Sequence, residues 1–231
     1  MIKLHDLSFS YGSVQALRGV SMSMPLGQVT CVIGRNGVGK TTLMKTMMGL
    51  LRHSAGQIYL GEQSIEHLPA NRRAKLGVAL VPQGRQIFPK LSVEENLRIG
   101  LQARTDGRKT IPDEIYELFP VLKTMSKRMG GDLSGGQQQQ LAIGRALVGE
   151  PKALLLDEPT EGIQPNIIQQ IGAVLQKLVT TRNMTIVLVE QYLDFVKEFG
   201  KTFYVMNRGR VVAEGPTTDL DSDLVSRHLG V

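Results

Sequence analysis

Short apolar runs recur along this chain and set its secondary-structure pattern. They are rich in leucine and β-branched residues, and they lie at 29–33, 77–81, 153–157 and 185–190. Runs of this length that are apolar throughout are typical of parallel strands buried on both faces. The pattern therefore predicts an α/β fold with a parallel sheet and flanking helices.

The two ends of the chain carry weaker strand patterns. Short alternating runs at 3–9 and 20–24, separated by glycine-containing turns, predict a small N-terminal antiparallel β-subdomain. Near the other end, strand-like pieces at 202–206 and 210–213 flank a turn at 207–209 that reads Asn-Arg-Gly. These last two pieces predict a hairpin.

The stretch from 92 to 148 is helical in pattern and begins with Ser92-Val93-Glu94-Glu95, which predicts a capping box. We therefore expect a single domain over residues 1–231. In this division, residues 1–91 and 149–231 form the core together with the β-subdomain, and 92–148 form an inserted helical subdomain.

One predicted strand-to-helix junction carries a phosphate-binding pattern. Residues 34–41 read GRNGVGKT, in which Gly34, Gly39, Lys40 and Thr41 have the required spacing. Glycines let backbone N–H groups turn towards phosphate oxygens, the following helix adds its dipole, and the lysine adds a positive charge. The threonine hydroxyl suits Mg²⁺. We predict an ATP site here, with a helix over 42–51 behind it.

The apolar run at 153–157 ends in two acids, Asp157 and Glu158. A buried strand places such residues at the carboxyl edge of the sheet, where α/β folds bind ligands. We predict that Asp157 holds the Mg²⁺ shell and that Glu158 orients or deprotonates the attacking water.

Composition narrows the functional classes. The net charge is +6, but it is dispersed, and its densest cluster, Arg72, Arg73 and Lys75, predicts a solvated helix face. Aromatic residues make up 5% and Trp is absent, so we expect no stacking platform for single-stranded nucleic acid. The single cysteine, Cys31, lies in a predicted strand and is expected to be a small core side chain.

Hydropathy favours a cytosolic or peripheral protein. No apolar run approaches the roughly 18 residues that a membrane-spanning helix needs, and the start of the sequence lacks a signal-peptide pattern.

A third motif, LSGGQ at 133–137, gives the chain a family resemblance. Together with the phosphate loop and LLLDEP at 154–159, it makes the whole chain resemble the nucleotide-binding subunit of an ATP-binding-cassette (ABC) transporter. In that family this signature segment binds the γ-phosphate of ATP held by the opposite subunit. The resemblance therefore implies an ABC-type P-loop ATPase that works as a dimer with Mg²⁺ and ATP, and it assigns the in-trans contact to Ser134, Gly135, Gly136 and Gln137.

The resemblance also implies roles for individual positions. Tyr11 is similar to the aromatic residue that stacks on adenine, although a tyrosine packed on the small sheet is the alternative. Gln83 is similar to the glutamine that contacts Mg²⁺ or water, although a solvent-facing loop glutamine is the alternative there. Residues 88–97 are similar to the segment that receives the membrane subunit. The remaining ATP contacts implied by the resemblance are Asn36, Gly37 and Thr42.

Two positions depart from the family pattern. Gln191 stands where a histidine usually contacts the γ-phosphate, and Gln164 stands where an aspartate usually follows the catalytic glutamate. An amide can donate a hydrogen bond but does not titrate near neutral pH. We therefore expect Gln191 to act by positioning, alongside Glu158 and Lys40 as the catalytic groups.

The sequence VEQ at 189–191 and FPKLSVEENL at 88–97 resemble ATPases of the branched-chain amino acid and short-amide uptake group. Within that group, LSGGQQQQLAIGRAL and DEPTEGIQP most resemble the urea-uptake member. The resemblance implies an importer ATPase on the inner face of the cell membrane, partnered by transmembrane permease subunits and a second ATPase subunit, the same or different. It implies no direct contact with the solute.

Two alternatives remain open at the level of sequence. An ABC-type ATPase acting on nucleic acid or ribosomes would use the basic charge directly, but such proteins resemble tandem cassettes or carry coiled-coil insertions. This chain has one cassette, and 92–148 hold no sustained heptads. A regulatory nucleotide-binding module without turnover is the second alternative, which the two glutamine replacements leave open.

Overall fold

The computed structural model describes residues 1–221. Its strands are β1 (Ile2–Tyr11), β2 (Val14–Met24), β3 (Gln28–Ile33), β4 (Ala55–Leu60), β5 (Gln63–Ser64), β6 (Val78–Val81), β7 (Ala153–Asp157), β8 (Thr185–Glu190), β9 (Thr202–Asn207) and β10 (Arg210–Pro216). Its helices are α1 (Lys40–Met48), α2 (Ala70–Lys75), α3 (Val93–Ile99), α4 (Asp113–Leu118), α5 (Pro120–Thr124), α6 (Gly135–Val148), α7 (Pro165–Arg182) and α8 (Leu193–Phe199).

The larger sheet has the strand order β10-β9-β3-β8-β7-β6, and every neighbouring pair is parallel except β10 with β9. The predicted parallel sheet is confirmed. All residues of β7 and β8 are buried, which is why their sequences are apolar apart from Asp157, Thr185 and Glu190. The predicted hairpin is also confirmed, since β9 and β10 pair antiparallel. In the turn between them, Arg208 and Gly209 both have positive φ, at 44° and 77°.

The smaller sheet is antiparallel, in the order β2-β1-β4-β5. The predicted N-terminal antiparallel sheet is therefore confirmed, but it extends further along the chain than residues 1–30. Strand β4 was not predicted, because only Ile58 on this strand is fully buried and the sequence shows no clear alternation.

The capping box at the start of α3 is confirmed. The hydroxyl oxygen of Ser92 accepts from the N–H of Glu95 at 3.2 Å, and Glu95 Oε2 accepts from the N–H of Ser92 at 2.8 Å. By contrast, the bounds of the helix predicted over 42–51 differ from those observed. This helix is α1, which begins earlier, at Lys40, and ends earlier, at Met48. Gly49 adopts a left-handed conformation with φ 79°, and its N–H closes the helix on the carbonyls of Lys45 and Thr46.

The six-stranded sheet lies between two apolar cores. Along β7, Leu154 and Leu156 face a core formed with the helices from α3 to α8, whereas Leu155 faces a core formed with α1 and the small sheet. This alternation follows from the two-residue period of a strand. Cys31 is fully buried in the first of these cores, as predicted.

The predicted solvated helix face is confirmed for Arg72 and Lys75, which are exposed, but is wrong for Arg73. Arg73 does not lie on a solvated helix face, because its side chain is 1% exposed. The guanidinium donates to the carbonyl oxygens of Thr46 at 2.9 Å and Met47 at 2.7 Å, at the end of α1, and to those of Leu68 and Glu66 at 2.9 Å each. It therefore satisfies backbone acceptors that a helix terminus leaves free. Burial lowers the pKa of Arg73 to about 10.

Within residues 1–221, no helix combines the length and the apolar character needed to cross a membrane.

Candidate active site

Three loops meet at the carboxyl edge of the parallel sheet. Ile33 of β3 pairs with Glu190 of β8, and Asp157 of β7 pairs with Val189 of β8. Because these strands run in the same direction, the loops that follow them lie side by side. The loop after β3 carries the phosphate-binding pattern, the loop after β7 carries Glu158, and the loop after β8 carries Gln191.

The phosphate loop packs closely against the rest of the chain. A Cβ atom on Gly34 would lie 2.5 Å from the carbonyl oxygen of Met206, and one on Gly39 would lie 2.7 Å from that of Ala16. Gly39 also has φ 112° and is the N-cap residue of α1, so it has no side chain that could cap the first turn. Only glycine fits these positions, and an uncapped helix N-terminus suits an anion.

Lys40 spans the phosphate loop. Its Nζ donates to the carbonyl oxygens of Gly34 at 2.8 Å and Arg35 at 3.0 Å, and lies 3.6 Å from Oε1 of Glu158. Burial lowers the pKa of Lys40, and the neighbouring carboxylates oppose that effect. The ammonium therefore lies at the point where the loop and the carboxyl edge of the sheet meet.

Asp157 lies beneath the loop, 2% exposed, and its Oδ1 has no hydrogen-bond partner among the described residues. Burial raises the pKa of this carboxyl group, while a hydrogen bond from Thr41 and the charge of Lys40 oppose the rise. An unpartnered carboxylate oxygen beside a hydroxyl is a hard-oxygen donor set that fits Mg²⁺, which takes few protein ligands and keeps several waters. The residues present therefore fit the predicted metal.

Glu158 is held by two side-chain amides. Its Oε1 accepts from Nε2 of Gln191 at 2.7 Å, and its Oε2 accepts from Nε2 of Gln83 at 3.0 Å. The backbone of Glu158 is left-handed, with φ 50°, and its N–H donates to the carbonyl oxygen of Val189 at 2.9 Å. A non-glycine residue in this conformation is uncommon and occurs often at functional sites. The structure thus brings together Lys40, Gln83, Glu158 and Gln191.

An open cleft of about 740 Å³ runs along the phosphate loop. This volume is in the range of ligand pockets. At one end lies Tyr11, which is 50% exposed and packs edge-on against Phe9 with ring centroids 4.7 Å apart. The sequence-predicted residues that line the cleft are Tyr11, Asn36, Gly37, Gly39, Lys40, Thr41, Thr42, Gln83 and Glu158.

The cleft also contains residues that the sequence did not single out, among them Arg18 of β2 and Arg208 of the β9–β10 turn. Neither lies in a motif, and only the packing of the hairpin against β2 brings them to the phosphate loop. The N–H of Arg18 donates to the carbonyl of Gly209 at 2.8 Å, which fixes this arrangement.

The signature segment, residues 133–137, does not line this cleft in the described part of the chain. Ser134 is the N-cap of α6: its hydroxyl accepts from the N–H of Gln137, whose Oε1 accepts from the N–H of Ser134 at 2.9 Å. A Cβ atom on Gly136 would lie 3.1 Å from side-chain carbons of Ile167, and one on Gly135 would lie 3.1 Å from the guanidinium of Arg85. The segment is a compact helix start whose glycines allow close packing.

Two further residues near these loops were missed. Arg85 contacts Gln138 and the carbonyl oxygen of Glu161, and thereby joins the loop after Gln83 to the signature segment. Glu190 is 2% exposed and ends β8 just as Asp157 ends β7. An acid at the end of an apolar run was the signal that identified Asp157, and the same signal is present at Glu190.

Comparisons with known proteins agree with this geometry. Residues 17–161 match the family model described as ABC transporter. The chain is similar to the high-affinity branched-chain amino acid transport ATP-binding protein BraG of Pseudomonas aeruginosa, with 39% identity over 92% of this chain and 91% of BraG. It is also similar to the branched-chain amino acid transport ATP-binding protein LivF, described as probable, of Archaeoglobus fulgidus, with 36% identity over 95% of this chain and 94% of LivF.

Among solved structures, the chain superposes on a dimeric bacterial ABC transporter cassette with a TM-score of 0.86 and 25% identity, covering 94% of this chain and 99% of that one. The predicted fold class, a parallel-sheet core with an antiparallel β-subdomain and a helical subdomain, is thereby confirmed. The chain belongs to the ABC transporter family, in which it is an ATP-binding cassette with ATPase activity.

Proposed function

We propose that this chain is the ATPase subunit of an importer for branched-chain amino acids or short amides such as urea. The observation that carries the proposal is the convergence of Lys40, Gln83 and Gln191 on the carboxylate of Glu158 at the edge of the phosphate loop. The names of BraG and LivF favour branched-chain amino acids, and the glutamine-rich run after the signature segment favours urea.

In this proposal the phosphate loop and Lys40 bind the β- and γ-phosphates of ATP. Asp157, Thr41 and Gln83 would hold Mg²⁺, which when bound neutralises charge on the phosphates. Glu158 accepts the proton of the attacking water, and Gln191 keeps that carboxylate in place beside the loop. The buried position of Lys40 and Asp157 strengthens their electrostatic effect on the phosphates.

The proposed active unit contains two cassettes, the same or different. Each ATP lies between the phosphate loop of one chain and the signature segment of the other. Three features support this arrangement: the signature segment does not line the cleft of its own chain, Ser134 begins a helix whose N-terminus suits an anion, and a similar cassette is dimeric. ATP then favours the closed dimer because it binds that state with more contacts.

The proposed partners also include two membrane permeases, placed against the segment from Gln83 to Leu97. Phe88 in this segment is 47% exposed and packs on the guanidinium of Arg145 at 5.3 Å, so the segment presents a supported apolar surface. The subunit would then be peripheral on the cytoplasmic face of the membrane, without contact with the solute.

The variant Glu158→Gln tests the catalytic part of the proposal. It should bind ATP with unchanged affinity, hydrolyse it at least about 100-fold more slowly, and elute as a dimer when ATP is present. The matched control is Glu161→Gln, because Oε2 of Glu161 also accepts from Gln83, at 3.1 Å. The control should keep its rate within about threefold. Normal turnover by Glu158→Gln would contradict the assignment of Glu158 as the catalytic base.

The importer assignment is tested in cells in which the gene for this chain carries Glu158→Gln. Uptake of radiolabelled leucine and of radiolabelled urea is measured at external concentrations below those that allow passive entry. Loss of either uptake supports the proposal and identifies the solute group. Normal uptake of both would contradict the importer assignment.

A further inference from the structure

A buried carboxylate that is not among the residues lining the cleft joins the loops that follow β7 and β8. Glu190 is the last residue of β8, between β3 and β7, and only 2% of it is exposed. The preceding residues of β8 are apolar or, like Thr185, uncharged. A charged side chain in this position is costly to bury unless its partners require it.

Each oxygen of Glu190 accepts hydrogen bonds from a different loop. Oε1 accepts from the N–H and the hydroxyl of Thr160, at 3.0 and 2.8 Å. Oε2 accepts from the N–H groups of Gln191 and Tyr192, at 3.0 and 3.4 Å. One carboxylate therefore binds the loop after β7 to the loop after β8.

Both of these loops carry a residue of the proposed catalytic group. Thr160 follows Glu158 by two positions, and Glu158 itself has the left-handed backbone described above. One of the two backbone N–H groups that donate to Oε2 belongs to Gln191. The side-chain Nε2 of Gln191 donates to Glu158 at 2.7 Å and to Asn36 at 2.8 Å. If the loop after β7 moved away by about 1 Å, the contact between Gln191 and Glu158 would lengthen beyond hydrogen-bond range; if the loop after β8 moved away, both contacts of Gln191 would do so.

The hydrogen bonding suits a carboxylate and not an amide. All four partners can donate, and a carboxylate can accept on both oxygens, whereas a glutamine amide has an oxygen acceptor on one side and an NH₂ donor on the other. Burial raises the pKa of Glu190, and the four hydrogen bonds oppose that rise.

We propose that Glu190 is a positioning residue for ATP hydrolysis: one of its oxygens fixes the loop of Glu158, and the other fixes Gln191 against both Glu158 and Asn36. This role rests on the proposed catalytic function of Glu158. Glu190 is not among the described residues that line the cleft, and in this proposal it acts through the two loops.

The variant Glu190→Gln tests the proposal, because its amide must turn an NH₂ group towards one of the two donor pairs. We expect kcat for ATP hydrolysis to fall about tenfold or more, while KM for ATP changes less than twofold. The control is Thr185→Val on the same strand, since the buried Thr185 hydroxyl has no hydrogen-bond partner among the described residues. A kcat of Glu190→Gln within twofold of the unmodified chain would overturn the proposal.

A second background tests whether Glu190 acts through Gln191. In chains that already carry Gln191→Ala, the change Glu190→Gln should lower kcat less than it does alone, because one of the two positioned side chains is absent. An undiminished effect would overturn the assignment to Gln191. If Glu190→Gln does not fold, Thr160→Val removes one donor to the same carboxylate, and the same readouts apply to it.

Amide hydrogen exchange gives a readout that does not depend on turnover. In Glu190→Gln, the N–H groups of Thr160, Gln191 and Tyr192 should exchange at least about tenfold faster, while those within β7 and β8 keep their protection. Unchanged exchange at the three amides would overturn the proposal. If the unmodified chain shows no hydrolysis in any assembly, the proposed function fails, and hydrogen exchange still decides whether Glu190 joins the loops.

Discussion

Nε2 of Gln191 lies 2.7 Å from Oε1 of Glu158 and 2.8 Å from Oδ1 of Asn36. One side-chain amide therefore connects the proposed base to the phosphate loop. The family usually has histidine here, and histidine titrates near neutral pH, whereas the amide of Gln191 stays neutral and keeps its donor at every pH that the fold tolerates. We therefore expect this position to act by geometry alone.

Replacing Gln191 by alanine should lower kcat by about 10- to 100-fold, because the base loses a donor that orients it. KM for ATP should change little, since the ammonium of Lys40 and the phosphate loop remain. Steady-state ATPase assays measure both constants. A large rise in KM with unchanged kcat would show instead that Gln191 contributes to ATP binding.

The variant Gln191→His should introduce a pH dependence that the unmodified chain lacks at this position. A histidine beside Glu158 has its pKa raised by the carboxylate, from an ordinary value of about 6.5. Below that raised pKa the imidazolium stabilises the carboxylate charge and weakens Glu158 as a base. The ratio of the two rates, variant to unmodified, should therefore fall as pH falls from 8 to 6. A constant ratio would contradict this account.

The signature segment gives a prediction about the second chain. In Gly136→Asp, the new carboxylate lies in the first turn of α6, where the helix dipole stabilises it, but it repels a phosphate from the opposite chain. ATP binding to the isolated cleft should persist, while hydrolysis falls at least about 100-fold and Glu158→Gln no longer forms an ATP-dependent dimer.

Gly136→Ala is the control for size, because any Cβ atom there lies 3.1 Å from Ile167 and requires a small shift of that side chain. We expect the alanine variant to lose much less activity than the aspartate variant. Equal losses in the two variants would attribute the effect to packing and would not support a phosphate contact.

The sequence predicted those features that depend on local pattern. Strands β7 and β8 are mostly apolar because both of their faces are buried, and the Ser92 capping box is fixed by residues three positions apart. The turn at Arg208 and Gly209 is likewise set by its own residues. In each case the deciding interactions lie within a few residues of one another.

Features set by distant contacts were not predicted. Arg73 has the composition of a surface residue, and only the approach of α2 to the end of α1 buries it. Glu190 needs donors from Thr160, which is 30 positions away. No element was predicted over residues 165–182, where the long helix α7 packs Ile171 and Leu175 into the core. The domain boundaries at 91 and 149 remain predictions.

Arg73 should contribute to stability and not to catalysis. Its guanidinium donates to four backbone carbonyls, and Arg73→Met would leave them buried without a donor. We expect a loss of about 3 kcal/mol in the free energy of unfolding, measured with urea, and a kcat within twofold at temperatures where the variant is folded. The neighbouring Arg72 is exposed, so Arg72→Met should change the free energy by less than about 0.5 kcal/mol. Equal losses would contradict the role of burial.

Asp157 is expected to differ from Arg73, because it should lower the stability of the fold while it supports catalysis. Burial raises its pKa above the ordinary value of 3.8, so the folded chain holds this proton more tightly than the unfolded chain does. In the window between the two values the folded state carries more protons, and stability therefore falls as pH rises through it. At pH 7 the ionised, partly unpartnered carboxylate is a net cost to the fold.

Asp157→Asn removes this charge while its amide oxygen can still accept from Thr41. Tm at pH 7 should therefore rise, by roughly 2–4 °C for each kcal/mol of relieved cost in a chain of this size. The rise should be smaller at pH 4 than at pH 7, because lower pH favours the protonated form of the unmodified carboxyl group, whose pKa burial raises. The exposed Asp132→Asn serves as the control and should leave Tm unchanged at both pH values. Asp157→Asn also removes the negative charge that Mg²⁺ binding needs, so this variant should lose hydrolysis as it gains stability. A lower Tm for Asp157→Asn at pH 7 would mean that the ionised carboxylate stabilises the fold, contrary to the direction of its pKa.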